Sequence, residues 1–378
     1  MAPNIPSATT TEFVEAKEAP RVNLVHTDEH AKEVLKLDEP YRMSLVWRNI
    51  LIFIYLHLGA LYGVYLVIFH AKFYTFLWAA LVASMGAVGI TAGAHRLWSH
   101  RAYKAKLPLR LILAAFQTMA FQNSIYEWCR DHRVHHKFSE TDADPHNANR
   151  GFFFSHIGWL MCRKHPDVIR KGAGVDMSDL EQDPIVIWQK RTYLLVTPLL
   201  CFALPVWVPV HFWGEAGWTS WYIAGIMRYV ISLNFTWLVN SAAHIWGAKP
   251  YDKSISPVEN VSVAILAFGE GWHNYHHVFP WDYKAAELGN YKMNFTTGFI
   301  DFFAWLGWAY DLKSVPVELI QRRAARTGDG SYQRQENKSK PQSNPHHLLE
   351  GETAIWGWGD KDMLIEDTKS ALHDYKTR

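Results

Sequence analysis

Three clusters of histidine are the part of this sequence best suited to chemistry. Two repeat the pattern H-x-x-H-H, at residues 132–136 and 273–277, and the third is the pair His95 and His100. Positions i, i+3 and i+4 of a helix share one face, so each run can present three imidazoles to one point. Imidazole suits Fe, Cu, Zn and Ni better than Mg or Ca. Because eight histidines exceed the needs of one tetrahedral zinc ion, the clusters predict two metals, with these ligands: His95, His100, His132, His135, His136, His273, His276 and His277.

Apolar segments long enough to cross a membrane separate the clusters. About 20 apolar residues span a bilayer as a helix, and this length is approached at 50–69, 75–94, 193–212 and 218–239. The segments pair into two hairpins, and Pro198, Pro205 and Pro209 predict kinks in the third segment. Residues 109–121 are apolar but shorter, which predicts a buried or interfacial helix. Polar tails are predicted at 1–45 and 327–378, leaving 46–326 as the membrane domain.

Basic residues are concentrated between the two hairpins, from Arg101 to Lys171. The connector inside the second hairpin, residues 214–218, contains Glu215 and neither Lys nor Arg. The positive-inside rule then places the segment between the hairpins and both termini in the cytosol. Each hairpin returns the chain to the same side, so all three clusters can converge there. The sequence therefore predicts an all-α membrane protein, with four transmembrane helices in two hairpins and a cytosolic helical cap holding a histidine-ligated dimetal site.

Charge and cysteine content exclude some other classes of protein. The net charge is only +2, which implies no nucleic-acid partner. Cys129, Cys162 and Cys201 form no C-x-x-C pair and are predicted to be free thiols in a reducing compartment. The first 45 residues contain no apolar run, so no cleavable signal peptide is expected.

The surroundings of the histidines give two further expectations. His95 and His100 are five residues apart and do not share an ideal helical face, so a helix end is predicted between them. Metal-bound histidine usually donates its other N–H to a carboxylate or a carbonyl. Candidate partners of this kind near the clusters are Glu127, Asp131, Glu140, Asp142, Asp144, Glu270 and Asp282.

Long motifs around the clusters identify a family. The chain closely resembles membrane acyl-CoA desaturases of the stearoyl-CoA desaturase family, in particular the insect branch, over roughly residues 45–331. Its C-terminal flanks are more similar to moth Δ11 enzymes than to general Δ9 enzymes. The resemblance rests on GITAGAHRLWSH (89–100), EWCRDHRVHHKFSETDADPHN (127–147), RGFFFSHIGWL (150–160), TWLVNSAAH (236–244), GEGWHNYHH (269–277), FPWDY (279–283) and RTGDGS (326–331).

The resemblance implies an O2-dependent enzyme of the endoplasmic reticulum membrane. Two Fe2+ ions would sit above a bent tunnel for the acyl chain of a fatty acyl-CoA. The expected product carries a double bond at Δ11 or Δ9, for unsaturated fatty acid or sex-pheromone precursor biosynthesis. Electrons would come from NADH through a reductase and a separate cytochrome b5. No catalytic residue is expected beyond the diiron centre.

The resemblance also adds site residues that spacing alone does not give. It implies His244 as a ninth ligand and Asn240 as a residue that reaches a metal through water. Small residues at Ala83 and Ala87 share a helical face, which in this family closes the far end of the tunnel; close helix packing is the alternative explanation. The residues implied in substrate binding are Asn49, Asn123, Trp128, Arg130, Asp131, Arg163, Lys164, Thr236 and Trp237.

Two other functions remain open at this stage. A fatty acyl hydroxylase or an acetylenase could use the same scaffold. A histidine-rich membrane metal carrier is an alternative of another class, although the predicted spans lack the series of polar residues that a translocation path requires.

Overall fold

Helices dominate the computed structural model, which describes residues 41–287, 291–332 and 354–374. In chain order they are α1 (Trp47–Phe69), α2 (Phe73–Ser99), α3 (Leu107–Ala120), α4 (Ile125–Phe138), α5 (Phe152–His156), α6 (Pro166–Gly172), α7 (Ser178–Glu181), α8 (Pro184–Trp213), α9 (Gly217–Ile245), α10 (Val261–Leu266), α11 (His273–Val278), α12 (Phe295–Trp305), α13 (Val317–Thr327) and α14 (Ile365–Ser370). Two short 3₁₀ turns lie at Ala148–Arg150 and Gly158–Met161.

Four short strands form two antiparallel pairs. Strand β1 (Lys104–Ala105) pairs with β2 (Ala309–Tyr310), and β3 (Leu312–Ser314) pairs with β4 (Leu372–Asp374). Each pair joins segments that are far apart in the sequence, so both fasten the C-terminal part of the chain to the rest. We call α1, α2, α8 and α9 the stem, and the remaining helices and strands the cap.

The four stem helices are each long and apolar enough to cross a membrane, which confirms the four predicted spans. Their outer faces are apolar and open: Leu58 is 62% exposed and Leu194 is 82% exposed. Their inner faces are closely packed around residues such as Ala79 and Ile223, at 2% and 0% exposure. This distribution suits lipid, in which apolar side chains cost nothing on the outside.

The stem helices extend further than the apolar segments indicate. Helix α8 begins at Pro184 rather than at residue 193, where the Asp183 side chain caps it by accepting hydrogen bonds from the backbone N–H groups of Ile185 and Val186. Helices α2 and α9 continue to Ser99 and Ile245, beyond the predicted limits of 94 and 239. The stem helices themselves therefore contain two of the predicted metal ligands, His95 in α2 and His244 in α9.

Three stretches of the stem are wound as π-helix, at Gly89–Ser99, Pro198–Ala203 and Trp221–Met227. The second stretch begins at Pro198, one of the three prolines at which kinks are predicted, and proline removes a backbone donor there. The first stretch ends at Ser99, so a helix end does lie between His95 and His100. The wider winding brings their ring centroids to 4.7 Å.

Close helix contact shapes the start of that first stretch. A Cβ atom on Gly89 would lie 2.2 Å from the backbone nitrogen of Gln117, so glycine lets α2 and α3 touch backbone to backbone. Helix α3 is the short apolar helix predicted at 109–121, and it ends at Ala120.

The described part of the C-terminal tail packs against the cap. Trp356 is only 2% exposed, although the composition of 327–378 predicted a polar tail. The reason is pairing through β4 and through aromatic side chains, which composition does not reveal. Of the predicted N-terminal tail, residues 1–40 lie outside the described residues.

Candidate dimetal active site

Nine histidines gather in the cap and at the ends of the stem helices, in two groups. Within each group the nitrogen atoms that could bind a metal lie within 4.8 Å of one another. The five-histidine group consists of His95, His100, His132, His136 and His276. The four-histidine group consists of His135, His244, His273 and His277. These are the eight histidines of the clusters and the ninth implied by resemblance.

Each H-x-x-H-H run is divided between the two groups. His132 and His136, at positions i and i+4, belong to the five-histidine group, whereas His135 belongs to the other. In the second run, His273 and His277 belong to the four-histidine group, whereas His276 belongs to the five-histidine group. The expectation that each run points to one metal was therefore wrong. Positions i+3 and i+4 lie on opposite sides of position i and about 100° apart on a helix, so one run can serve two points.

The rings converge through the same nitrogen. In the five-histidine group, Nε2 of His95 lies 2.9 Å from Nε2 of His276, and Nε2 of His100 lies 2.8 Å from Nε2 of His132. In the four-histidine group the Nε2 atoms of His244 and His273 are 3.0 Å apart. Every ring in these pairs therefore presents Nε2 to the centre of its group and leaves Nδ1 on the outside.

Outer partners hold several of the Nδ1 atoms. Nδ1 of His95 lies 2.7 Å from Oε2 of Glu270, and Nδ1 of His244 lies 2.7 Å from Oε1 of Glu140. His135 Nδ1 lies 3.0 Å from Asp144 Oδ1. A carboxylate on Nδ1 selects the tautomer that leaves the Nε2 lone pair free for a metal.

Three predicted carboxylates thus contact the rings, and three others have different roles. Glu127 completes a capping box with Ser124 that starts α4 and so sets the first histidine run. Asp131 contacts Arg130 and Lys164, and Asp282 accepts a hydrogen bond from the Tyr275 hydroxyl at 2.8 Å. Asp142 is exposed.

Burial keeps most of these rings neutral. Loss of solvent, followed by repulsion from neighbouring imidazoles, holds the pKa well below its usual value for His100, His132, His136, His273, His276 and His277. His135 differs: burial alone would lower its pKa, but the Asp144 carboxylate and its hydrogen bond outweigh burial and raise it. Neutral imidazoles have the free lone pair that metal binding requires.

The donor set fits two metal ions. Each group offers four or five imidazoles with no thiolate among them, which suits first-row transition metals. Carboxylate hydrogen bonds fix two of the rings, those of His135 and His244, from the outside. His146 adjoins this arrangement, with its Nδ1 3.5 Å from the Asp144 carboxylate that also holds His135.

An apolar cavity of about 310 Å³ adjoins the two groups. Its walls include four of the histidines, His95, His132, His135 and His273. Several predicted tunnel residues line it as well, namely Ala83, Ala87, Trp128, Thr236 and Asn240. The two alanines thus face open space in the stem, which favours the tunnel explanation over close helix packing.

Other predicted substrate residues lie outside the cavity wall. Lys164 and Arg130 both contact the carboxylate of Asp131, with Arg130 Nη2 at 3.1 Å. The Asn49 side chain donates to the Leu160 carbonyl at 2.8 Å. The backbone N–H of Arg163 donates to the Ser44 carbonyl, and the Asn123 carbonyl accepts a hydrogen bond from the Gln117 side chain. Trp237 is buried against Phe53 and His156.

Three residues near the site were not predicted. Gln122 donates to the Thr236 hydroxyl at 3.0 Å and so fixes one cavity residue. Arg228 lines the cavity within α9, where its guanidinium donates to the carbonyls of Ala224 and Cys201. The Trp356 carbonyl accepts a hydrogen bond from Nδ1 of His100. Gln122 and Trp356 have no local sequence signal, because their contacts join residues far apart in the chain. The signal for Arg228 was its position as a single charged residue inside an apolar span.

These features define a class: a multi-pass membrane protein in which two buried groups of histidines that could hold metal ions adjoin an apolar cavity. The fatty acid desaturase family matches residues 72–285. The chain is 58% identical to an acyl-CoA Delta-9 desaturase of Acheta domesticus over 98% of both chains. It is 59% identical to an acyl-CoA Delta12-desaturase of the same species, over 89% of this chain and 88% of the relative.

A more distant relative is an acyl-CoA Delta(11) desaturase of Trichoplusia ni, 53% identical over 86% of this chain and 87% of the relative. The chain belongs to the fatty acid desaturase family, as its motifs predicted.

Proposed function

We propose that this desaturase acts on saturated fatty acyl-CoA, holds two Fe2+ ions and uses O2 to introduce a double bond at Δ11 or Δ9. One observation carries the proposal: His95, His132 and His273 belong both to the metal groups and to the cavity wall. An acyl chain in the cavity therefore lies against the ligands themselves. The cavity is apolar over most of its length, which suits an alkyl chain and excludes water from the reacting carbons.

The balanced reaction consumes O2, two electrons and two protons. It removes one hydrogen from each of two adjacent methylenes and yields one cis double bond and two water molecules. When bound, the two iron ions supply the activation of O2 that this requires. The protein contributes the positions: the histidines hold the metals, while Trp128, stacked on His132 with ring centroids 4.8 Å apart, and Thr236 confine the chain beside them. Asn240, also in the wall, is proposed to reach a metal through water.

We assign the CoA headgroup and the thioester end to the polar residues outside the cavity wall: Asn49, Asn123, Arg130, Asp131, Arg163 and Lys164, with Trp237 on the stem side. Guanidinium and ammonium groups suit CoA phosphates. If this is right, Lys164→Ala raises KM for acyl-CoA and leaves kcat nearly unchanged. A lower kcat at unchanged KM would contradict the assignment.

The relatives act at different positions of the acyl chain, as their names Delta-9, Delta12 and Delta(11) state. Overall identity therefore does not select a double-bond position, and the preference for Δ11 remains a prediction from the C-terminal flanks. A Δ11 product would favour a role in sex-pheromone precursors, and a Δ9 product a general role in unsaturated fatty acid biosynthesis.

Expression of the intact chain in desaturase-deficient yeast tests the proposal. Mass spectrometry of the fatty acids should locate a new double bond, and His276→Ala should abolish it. A hydroxylated or acetylenic product would replace the proposed reaction by one of the alternatives. Exchangeable metal without any O2-dependent product would favour a carrier.

We further propose that the chain lies in the endoplasmic reticulum membrane with both termini in the cytosol, and that cytochrome b5 with its NADH-dependent reductase supplies electrons. Basic residues between the hairpins support this orientation. A glycosylation acceptor in a lengthened 214–218 connector should be modified, and one near Gly172 should not. The reverse pattern would contradict the orientation.

A further inference from the structure

The C-terminal residues 354–374, which we call the strap, supply a contact to the metal site from outside the family match. The match ends at residue 285, whereas the carbonyl of Trp356 accepts a hydrogen bond from Nδ1 of His100. His100 is fully buried and belongs to the five-histidine group. Its outer partner is thus a backbone carbonyl where His95 and His244 have carboxylates.

Several independent contacts hold the strap in this position. The Trp358 N–H donates to the His100 carbonyl at 2.9 Å. The strap therefore contacts both the ring and the backbone of His100. The indole of Trp356 lies under two guanidinium groups, 4.7 Å from Arg101 and 4.1 Å from Arg133. Both contacts are of the cation–π type.

Charge pairs and a strand complete the attachment. Lys137 follows directly after His136 and lies 2.8 Å from Asp360 and 2.5 Å from Asp362. Asp360 also accepts a hydrogen bond from the Trp356 N–H at 2.8 Å, which holds the backbone of the residue whose carbonyl faces His100. Pairing of β4 with β3 anchors the far end of the strap.

We propose that the strap is a positioning element of the five-histidine group, and that the Trp356 carbonyl sets the tautomer and orientation of His100 for metal binding. The reasoning rests on the dimetal site of the proposed function. A hydrogen on Nδ1 that is held by this carbonyl leaves the lone pair on Nε2, which lies 2.8 Å from Nε2 of His132. Without the carbonyl, the ring is free to turn or to adopt the other tautomer.

Two glycines of the strap provide a matched pair of variants. A Cβ atom on Gly357, where φ is +152°, would lie 2.6 Å from both Cα and O of His100. Gly357→Ala should therefore push the strap away from this residue. Gly359 also has a positive φ, +80°, but its Cβ would meet only the end of the Arg101 side chain, at 3.3 Å. Gly359→Ala introduces similar backbone strain without a collision with His100.

The test uses the purified intact chain loaded with Fe2+ under anaerobic conditions, and follows iron per chain and its transfer to a ferrous chelator. Loss of an outer partner typically weakens metal binding about 10–100-fold. In Gly357→Ala, one of the two irons should transfer about 10–100-fold faster than in the unaltered protein, and the other at an unchanged rate. Gly359→Ala should keep both rates.

A second pair of variants keeps the test decisive if Gly357→Ala does not fold. Trp356→Ala removes the ring that contacts the two guanidinium groups and should release one iron faster, while Trp356→Phe retains an aromatic ring and should retain both. Normal transfer of both irons from Trp356→Ala and from folded Gly357→Ala would overturn the inference. So would equal loss of both irons from all variants, since that indicates general unfolding. An unaltered protein that binds no iron would instead contradict the proposed function.

Discussion

The two histidine groups and the apolar cavity have four histidines in common, but different kinds of contact determine their geometry. In the groups, rings such as His135 and His244 are each fixed by one hydrogen bond to a carboxylate. The stem part of the cavity wall is mostly apolar, with side chains such as Ala83, Ile231 and Phe235, and its shape follows from how closely the helices approach. Directional contacts tolerate few replacements, whereas an apolar wall tolerates many but changes shape with each. We therefore expect the histidine groups to determine the reaction and the cavity wall to determine the length of the substrate.

The largest effect should follow from the crossed division of the two histidine runs. His276→Ala should lower desaturation by at least about 100-fold, since a lost ligand costs more than a lost outer partner. His276 and His100 share a group, so the double variant should still bind one iron. His277 and His100 belong to different groups, so that double variant should bind none. Bound iron per chain is the measurement, with His70→Ala, an exposed histidine far from both groups in the sequence, as the control.

An intermediate effect is expected for the carboxylates on the outside of the rings. Glu270→Gln should weaken iron binding in the five-histidine group about 10–100-fold, and Glu140→Gln should do so in the four-histidine group. Each replacement keeps the size of the side chain and removes its charge. Combining each with His100→Ala and measuring the affinity of the remaining iron identifies which metal is affected. The division would be refuted if both glutamines weakened the same iron.

A smaller effect, on stability, separates the close helix contacts of the stem from its looser ones. Gly89→Ala forces a Cβ to 2.2 Å from a backbone atom of α3 and should destabilise the protein by about 1–3 kcal/mol, as overpacking does. Gly86, three residues earlier, would place its Cβ 3.4 Å from Ala120, an ordinary contact. Gly86→Ala should therefore leave the thermal midpoint unchanged or slightly raised. A similar fall in both variants would mean that helix approach is not the cause.

A substitution at the far end of the cavity should have the smallest effect on the rate of desaturation. It should nevertheless change the chain length of the product clearly. Ala83 lies twelve residues before His95, or about 18 Å along the helix at 1.5 Å per residue. Ala83→Tyr should fill this end and shift the products toward shorter acyl chains, without loss of iron. Leu81→Tyr is the control, because Leu81 is 53% exposed on the outside of the same helix. Analysis of product chain length decides, and an unchanged profile in active Ala83→Tyr enzyme would restore the packing explanation.

Sequence was most informative where a contact repeats a local pattern. The histidine runs and the four apolar spans could be predicted because spacing or composition alone determines them. The carboxylates of Glu140, Asp144 and Glu270 could be named as candidates, but only tertiary structure distinguishes them from Glu127, which caps a helix instead.

Prediction failed where two distant segments decide the outcome together. The division of each run between two groups depends on the relative rotation of α4 and α11, which no local pattern records. The start of α8 was missed because Gln189, Lys190 and Arg191 interrupt the apolar run, while a cap at Asp183 starts the helix before them. Packing of the strap was missed because its aromatic residues lie in an otherwise polar stretch.

The contact between His100 and Trp356 also imposes an order on biosynthesis. The two residues are 256 positions apart in the chain. At about 5–20 residues per second, a ribosome needs roughly 13 to 50 seconds to travel from one to the other. His277, by contrast, completes the four-histidine group well before Trp356 is made. We therefore expect a stage of synthesis at which every histidine of the four-histidine group has been made. At that stage the five-histidine group still lacks the Trp356 carbonyl that contacts His100.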